Sequence, residues 1–250
     1  MWRAIYEENC LKSALSVDDM CYEERVLYRL LSGMHSSINI HIALNSKPPR
    51  RAAGEAEWGS DPKKFVENFA KHPDRLKNLH FSFVVLLRAL RKAAPALSRI
   101  DVRIGQDSEE DLRTQALMSR LLESRILSSC RDVFGAFDEK SLFRDVQSTL
   151  NVESGTIGEA SELLAPVSLK SQFKDIFLNI SEVMDCISCQ KCKLHGKLQL
   201  LGLGTALKVL LLPEDLLDSS LNKQEVVALI NTIAKFSHAI RKVPDLMNSA

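Results

Sequence analysis

The chain has 250 residues, 45% of them hydrophobic and 26% charged, a globular balance in a length that suits one large domain or two small ones. A net charge of +1 leaves no basic field that would argue for nucleic acid. No run of about 18 uncharged apolar residues exists, so no membrane span is expected, and only 10 Gly and 8 Pro suit a helical protein better than a strand-and-turn one.

The first residues, Met1 to Asn9, carry two acids and lack the apolar segment of a signal peptide. By itself this start reads as cytosolic, or as a chain whose true beginning lies upstream. Apolar residues at near-helical spacing predict a helix over Val26–Leu44. Residues 45–63 are rich in Pro, Gly and charge and read as an exposed loop. A short helix is expected over Phe65–Ala70, then a long, mostly buried one over Leu76–Ala93, with Arg75, Arg88 and Arg91 set along it and Pro95 beyond its end. Ser108–Ser129 is amphipathic, and Glu109, Glu110 and Asp111 suit a helix start. Asp138–Leu150 is a weaker helix and Leu169–Met184 another. The apolar run Leu198–Leu212 is interrupted by Gln199 and Lys208. Asn222–Val243 closes the chain as an amphipathic helix, with Ser219 and Ser220 as candidate caps. No period-2 run and no internal repeat is found. The expected architecture is all-α, with residues 1–250 forming a single helical domain.

Three of the six cysteines, Cys186, Cys189 and Cys192, fall within seven residues, with His195 one step further. Such thiols bind metal, cycle between dithiol and disulfide, or form an inert bridge beside a spare thiol. The soft ligand set suits zinc or an iron–sulfur cluster. On one helix, however, a step of three drifts by about 60°, which spreads four ligands along a stripe rather than around one ion. A CxxC at a helix start would have its thiolate stabilised by backbone N–H groups and the helix dipole, with Lys191 and Lys193 adding positive charge. A CxxC loop is too short to constrain the unfolded chain much, so stabilisation is a poor reason for a bridge there. Asn179-Ile-Ser181 is an N-glycosylation sequon, meaningful only in a luminal protein.

Cys-x-x-Cys-x-x-Cys-[basic]-Leu-x-Gly-Lys-Leu-Gln-x-x-Gly-Leu-Gly-Thr-Ala-Leu-Lys, ending at Lys208, resembles the active-site segment of the endoplasmic reticulum oxidoreductin family. Further blocks agree in order: Ile5-Tyr-Glu-Glu-Asn-Cys10, the Ser32-Gly-Met-His35 helix, the Arg75-Leu-Lys-Asn-Leu and Leu87-Arg88-Ala-Leu pair, and Gln224 to Asn231. The resemblance implies an all-α bundle that holds FAD, with Trp2, Ser32, His35, Arg75 and Arg88 at the family's contact positions. It implies a thiol oxidase in which Cys189 and Cys192 form the redox-active disulfide, Cys192 beside the flavin and Cys189 open to attack. Electrons would come from protein disulfide isomerase and pass through FAD to molecular oxygen. Cys10 and Cys21 would form a structural or regulatory disulfide. The implied location is the endoplasmic reticulum lumen, peripheral to the membrane.

The chain departs from the family pattern in four ways. The secretory signal, the shuttle cysteines and an Arg-x-Thr flavin contact all precede the position that matches Trp2. The family partner of Cys186 is upstream as well, Cys130 has no assigned partner, and His195 stands where the family has Trp. The chain therefore reads as the C-terminal portion of the family's catalytic domain. Two other readings compete with the oxidase: a non-catalytic helical module that binds disulfide isomerase or regulates the full-length enzyme, and a zinc-stabilised helical domain.

Overall fold

The computed structural model describes residues 1–9, 20, 22–49, 58–102, 108–124 and 169–250. Among them the regular structure is helical, apart from one isolated antiparallel bridge between Lys47 and Gly59. Helix α1 spans Trp2–Asn9 and α2 spans Tyr22–Leu44. Helix α3, Pro62–Phe69, starts where Asp61 accepts the Lys64 N–H and Pro62 occupies a position whose missing N–H costs nothing. It begins inside the expected 45–63 loop, whose base is closed by the Lys47–Gly59 bridge and by Asp61 N–H donating to Ala43 O at 2.7 Å.

Helix α4 spans Asp74–Leu97 and α5 spans Glu109–Leu122, the latter capped by Ser108 and carrying three acids in its first turn. Helix α6 is Leu169–Asp185 and α7 is Gln190–Leu211. A 3-10 turn, Glu214–Leu216, leads into the short α8, Leu217–Ser220. Helix α9, Lys223–Asn248, opens with a capping box of Asn222 and Glu225. Ser219 and Ser220, expected as caps, lie in α8 instead. Asn222 holds the cap because its side chain is three residues ahead of a glutamate that reaches back.

Two prolines do not end their helices where the sequence suggested. Helix α4 runs through Pro95 and α9 through Pro244. Each lies in or near the last turn, where a proline removes a single i→i−4 bond and leaves the rest of the ladder intact. The expected helix Asp138–Leu150, and the end of Ser108–Ser129 beyond residue 124, lie outside the described residues. So do Cys10, Cys21 and Cys130.

Helices α2, α4, α7 and α9 pack around one apolar interior, where Leu31, Met34, Leu86, Leu203, Leu229 and Phe236 are fully buried. Burying each such side chain contributes about 1.5–3 kcal/mol. Two glycines let the helices close. A Cβ on Gly33 would lie 2.1 Å from Ser82 Oγ and 2.4 Å from Asn78 O, and one on Gly202 would lie 2.1 Å from Thr232 Oγ1. The first contact joins α2 to α4, the second α7 to α9. Among the described residues no helix is long and apolar enough to cross a membrane.

Candidate active site at one end of the bundle

Cys189 is the N-cap of α7. It is bonded to Cys192 in a disulfide with Cα atoms 5.2 Å apart, and its sulfur accepts the Cys192 N–H at 3.2 Å. The pair therefore sits on the positive end of a 22-residue helix, where a released thiolate is favoured. Both cysteines are exposed. Cys186 is a free, exposed thiol in the turn between α6 and α7. The added charge expected from Lys193 is partly spent. Asp185 holds Lys197 at 2.6 Å and lies 3.9 Å from Lys193. The hydrogen bond from Lys197 keeps the Asp185 carboxyl below its ordinary value. Among the described residues no group of three or more His, Cys, Asp or Glu is placed to hold a metal ion. Cys186 and Cys189 precede α7, so the four candidate ligands do not share one helix.

Side-chain contacts fix which residues share this end. Lys92, near the end of α4, donates to Leu210 O at 3.0 Å and Leu212 O at 2.5 Å, at the end of α7. The two helices thus run the same way, and Arg75 and Cys192 belong to the same end. Helix α2 links them. Ser36 Oγ donates to Arg75 O at 2.7 Å, and the His41 ring stacks on His195 with centroids 4.3 Å apart.

The five residues expected to contact flavin divide. Trp2 and His35 stack, centroids 3.8 Å apart and planes 18° apart, and Tyr6 Oη lies 3.1 Å from His35 Nδ1. Ser32, buried one turn before His35, accepts from Asn78 Nδ2 at 3.0 Å, and Asn78 Oδ1 accepts from Arg29 at 3.2 Å. Arg75 donates to Asn68 O at 2.9 Å. Burial, then the positive charges of Arg75 and His72, push the His35 imidazole down to about 3, so it is neutral at physiological pH. Arg88 stands apart. It is half-buried on α4, and 13 residues beyond Arg75 (88 − 75) places it about 20 Å along the axis on another face. Asn179 is exposed but lies within α6, beside the fully buried Ile180, so the sequon is helical rather than in a loop.

Sequence reasoning missed Tyr6 and Asn78, which fix the ring and the hydroxyl. It also passed over Gln199. That residue is fully buried, and neither amide atom has a hydrogen-bond partner among the described residues. Its signal was an amide inside an otherwise apolar run. His195 Nε2 is likewise buried without a hydrogen-bond partner among the described residues. Burial, then Lys235 and His41, push its imidazole down to about 3. A cleft of about 520 Å3 opens beside it, lined by His41, Arg113, Arg120, Lys235 and His238. A ring pair, an arginine, and interior amide and imidazole atoms without partners among the described residues have the chemistry that a flavin nucleotide takes, although the Trp2 and His35 rings touch and would have to part to admit a third ring.

A family model described as Endoplasmic Reticulum Oxidoreductin 1 (ERO1) matches residues 1–243. The chain belongs to this family. It is 37% identical over 250 residues to Endoplasmic reticulum oxidoreductin-1 of Arabidopsis thaliana, covering 98% of this chain and 48% of that one. It is 36% identical to the Caenorhabditis elegans protein of the same name, covering 97% of this chain and 52% of that one. The chain thus spans about half the length of these relatives. The structure titled "Structure of Ero1p, Source of Disulfide Bonds for Oxidative Protein Folding in the Cell" superposes with a TM-score of 0.64 at 24% identity. It covers 99% of this chain and 59% of that one. A mutant of S. cerevisiae Ero1p gives 0.65, also at 24% identity, covering 99% of this chain and 62% of that one. These superpositions establish the all-helical fold.

Proposed function

We propose that this chain is an FAD-dependent thiol oxidase of the endoplasmic reticulum lumen, forming disulfides in protein disulfide isomerase. The observation that carries the proposal is the exposed Cys189–Cys192 disulfide at the start of α7, at the bundle end shared with His35, Arg75 and His195. Cys189 lies outside the helix and takes the incoming thiolate of the isomerase, which releases Cys192 as a thiolate at the helix N-terminus. Collapse of the mixed disulfide leaves the isomerase oxidised and both cysteines reduced. Bound FAD supplies the two-electron acceptor that reoxidises the dithiol, with molecular oxygen taking the electrons and two protons to give hydrogen peroxide.

The chain's own residues bind and shield. Trp2 and His35 offer flat ring surfaces, Arg75 a planar cation for pyrophosphate, and Ser32 a buried hydroxyl held by Asn78. Exposure does not distinguish the two sulfurs, since Cys192 is as open as Cys189. Helix register does. His195 and Gln199 follow Cys192 by three and seven residues, on the face that leads into the bundle. Cys10 and Cys21 are proposed as a structural or regulatory disulfide, and association with the luminal membrane face as peripheral.

The test is oxygen uptake by the chain supplied with FAD and reduced protein disulfide isomerase. Uptake abolished by Cys189→Ser and by Cys192→Ser supports the proposal. A second reading, a helical module that binds the isomerase or regulates a full-length relative without turnover, is favoured by the direct Trp2–His35 stack, which closes the ring slot. Complex formation with no oxygen uptake would select it.

A further inference from the structure

We propose that Gln199 recognises the pyrimidine edge of the flavin ring, its carboxamide oxygen accepting from the ring N3–H and its amide nitrogen donating to an adjacent ring carbonyl. The proposal rests on the FAD reading above and assigns a positioning role to a residue that the matched motif contains but to which the resemblance gave no role.

Gln199 is 0% exposed, and both its amide atoms lack a hydrogen-bond partner among the described residues. A buried amide left unpaired is strongly disfavoured, whereas leucine or methionine of similar size would fill the same space at no such cost. An amide kept there implies a polar group that meets it. The described residues offer little. The backbone carbonyls around it serve the helix ladder, and Leu198 O also accepts from Thr232 Oγ1 at 3.2 Å. The neighbouring turns carry Gly196 and Gly202, which give the helix close approaches to α6 and α9 but no polar side chain.

Position on α7 then selects the partner. Gln199 follows Cys192 by seven residues and His195 by four, so the three lie along one stripe, Gln199 about 10 Å up the axis from Cys192. The carbon that accepts a thiolate borders the flavin's pyrimidine ring, and helical side chains lean toward the N-terminus, so the Gln199 amide would reach back to the pyrimidine edge of a ring seated at the Cys192 sulfur. A carboxamide sets a donor and an acceptor side by side in one plane. Its complement is a ring edge with an N–H next to a carbonyl, which the flavin imide has. Adenine also sets a donor beside an acceptor, so the shared stripe with Cys192, and not the hydrogen-bond pattern, selects the flavin ring.

The experiment is titration of the chain with FAD and with N3-methyl-FAD, followed by flavin fluorescence, in the wild type, Gln199→Leu and Gln199→Glu. The wild type is expected to bind FAD about tenfold more tightly than the methylated analogue, the scale of one well-made hydrogen bond. Gln199→Leu is expected to bind both alike, with a shifted absorption spectrum of the bound oxidised flavin. Gln199→Glu keeps the shape of the side chain and loses its donor, so weaker FAD binding is expected there too. FAD that binds with unchanged affinity, spectrum and discrimination in both variants would overturn the role of Gln199 and leave the oxidase reading standing. A folded wild type that takes no FAD would overturn both.

Discussion

Trp2 and His35 are in ring-to-ring contact at 3.8 Å, and Tyr6 Oη meets the edge of the imidazole at Nδ1. A flat ring inserted between them needs roughly twice that separation, because offset-stacked rings cannot approach much closer than their contact distance. His35 is fixed on the 23-residue α2, while Trp2 begins the eight-residue α1. Trp2 is therefore the side that moves. In a Trp58→Phe variant, where Trp2 is the remaining tryptophan, FAD is expected to quench the emission. Trp2→Ala should weaken FAD binding about tenfold, the cost of one lost stacking partner. Emission that is unchanged at saturating FAD would show that the slot stays shut.

Gly33 fixes the spacing of α2 and α4. Gly33→Ala places a methyl 2.1 Å from Ser82 Oγ and 2.4 Å from the Asn78 backbone carbonyl. Truncating Ser82 removes only the first clash, since backbone cannot rotate away. Gly33→Ala is expected to cost about 1–3 kcal/mol of stability by overpacking. Ser82→Ala in the same chain should recover a minor part of it. Urea unfolding measures both, and a Gly33→Ala chain as stable as the parent would contradict the close approach.

Stability should fall as the solution is acidified from neutrality. The imidazoles of His35 and His195 are pushed down from 6.5 to about 3, mainly by burial, and those of His41, His72 and His238 are also lowered. The unfolded chain binds these protons first. For the buried His35 and His195, unfolding therefore takes up protons between pH 6.5 and about 3, and stability falls as the pH falls by up to about 1.4 kcal/mol per unit for each of the two, with His41, His72 and His238 acting in the same direction. Carboxylates titrate mainly below about pH 5, so the interval from pH 7 to 5 isolates the histidines. The thermal midpoint is expected to decline across that interval, and less steeply in His195→Phe. A flat profile would contradict the burial of neutral imidazoles.

Reduction of Cys189–Cys192 should change reactivity far more than stability. The loop it closes spans a sequence separation of three, which removes little freedom from the unfolded chain. The sulfur that caps α7 remains in place when reduced. Mild dithiothreitol is expected to move the thermal midpoint by a few degrees at most, on the scale where about 1 kcal/mol corresponds to about 2–4 °C in a chain of this size. A larger shift would mean that the bridge serves the fold.

Most of the helical frame could be read from periodicity, because α2, α4, α6 and α9 each lay a continuous apolar stripe on the core. Their ends could not. Helices α4 and α9 continue past Pro95 and Pro244, since tertiary packing holds a turn that local rules would end. The cap of α9 was misplaced by two or three residues, because a pair of serines competes on composition with an asparagine whose partner, Glu225, decides the matter. For the site, the cysteine cluster was plain in the sequence, and the aromatic, serine, histidine and arginine positions became legible only through resemblance. Asn78, Tyr6 and Gln199 were not legible, since their roles depend on which side chains face them across other helices. Arg88, whose block also matches, lies about 20 Å along α4 from Arg75, a separation that an extended ligand would have to span to meet both.

Electron transfer from Cys192 to a flavin held in this bundle is the step on which the proposed oxidase activity rests. The direct measurement is the visible spectrum of the chain loaded with FAD, taken anaerobically while dithiothreitol is added and again after air is admitted. Bleaching of the oxidised-flavin band and its return in air are expected, with Cys192→Ser retaining FAD but bleaching no faster than free FAD. A Cys192→Ser chain that bleaches at the wild-type rate would contradict electron transfer through this disulfide, and a folded chain that retains no flavin would contradict the oxidase reading altogether.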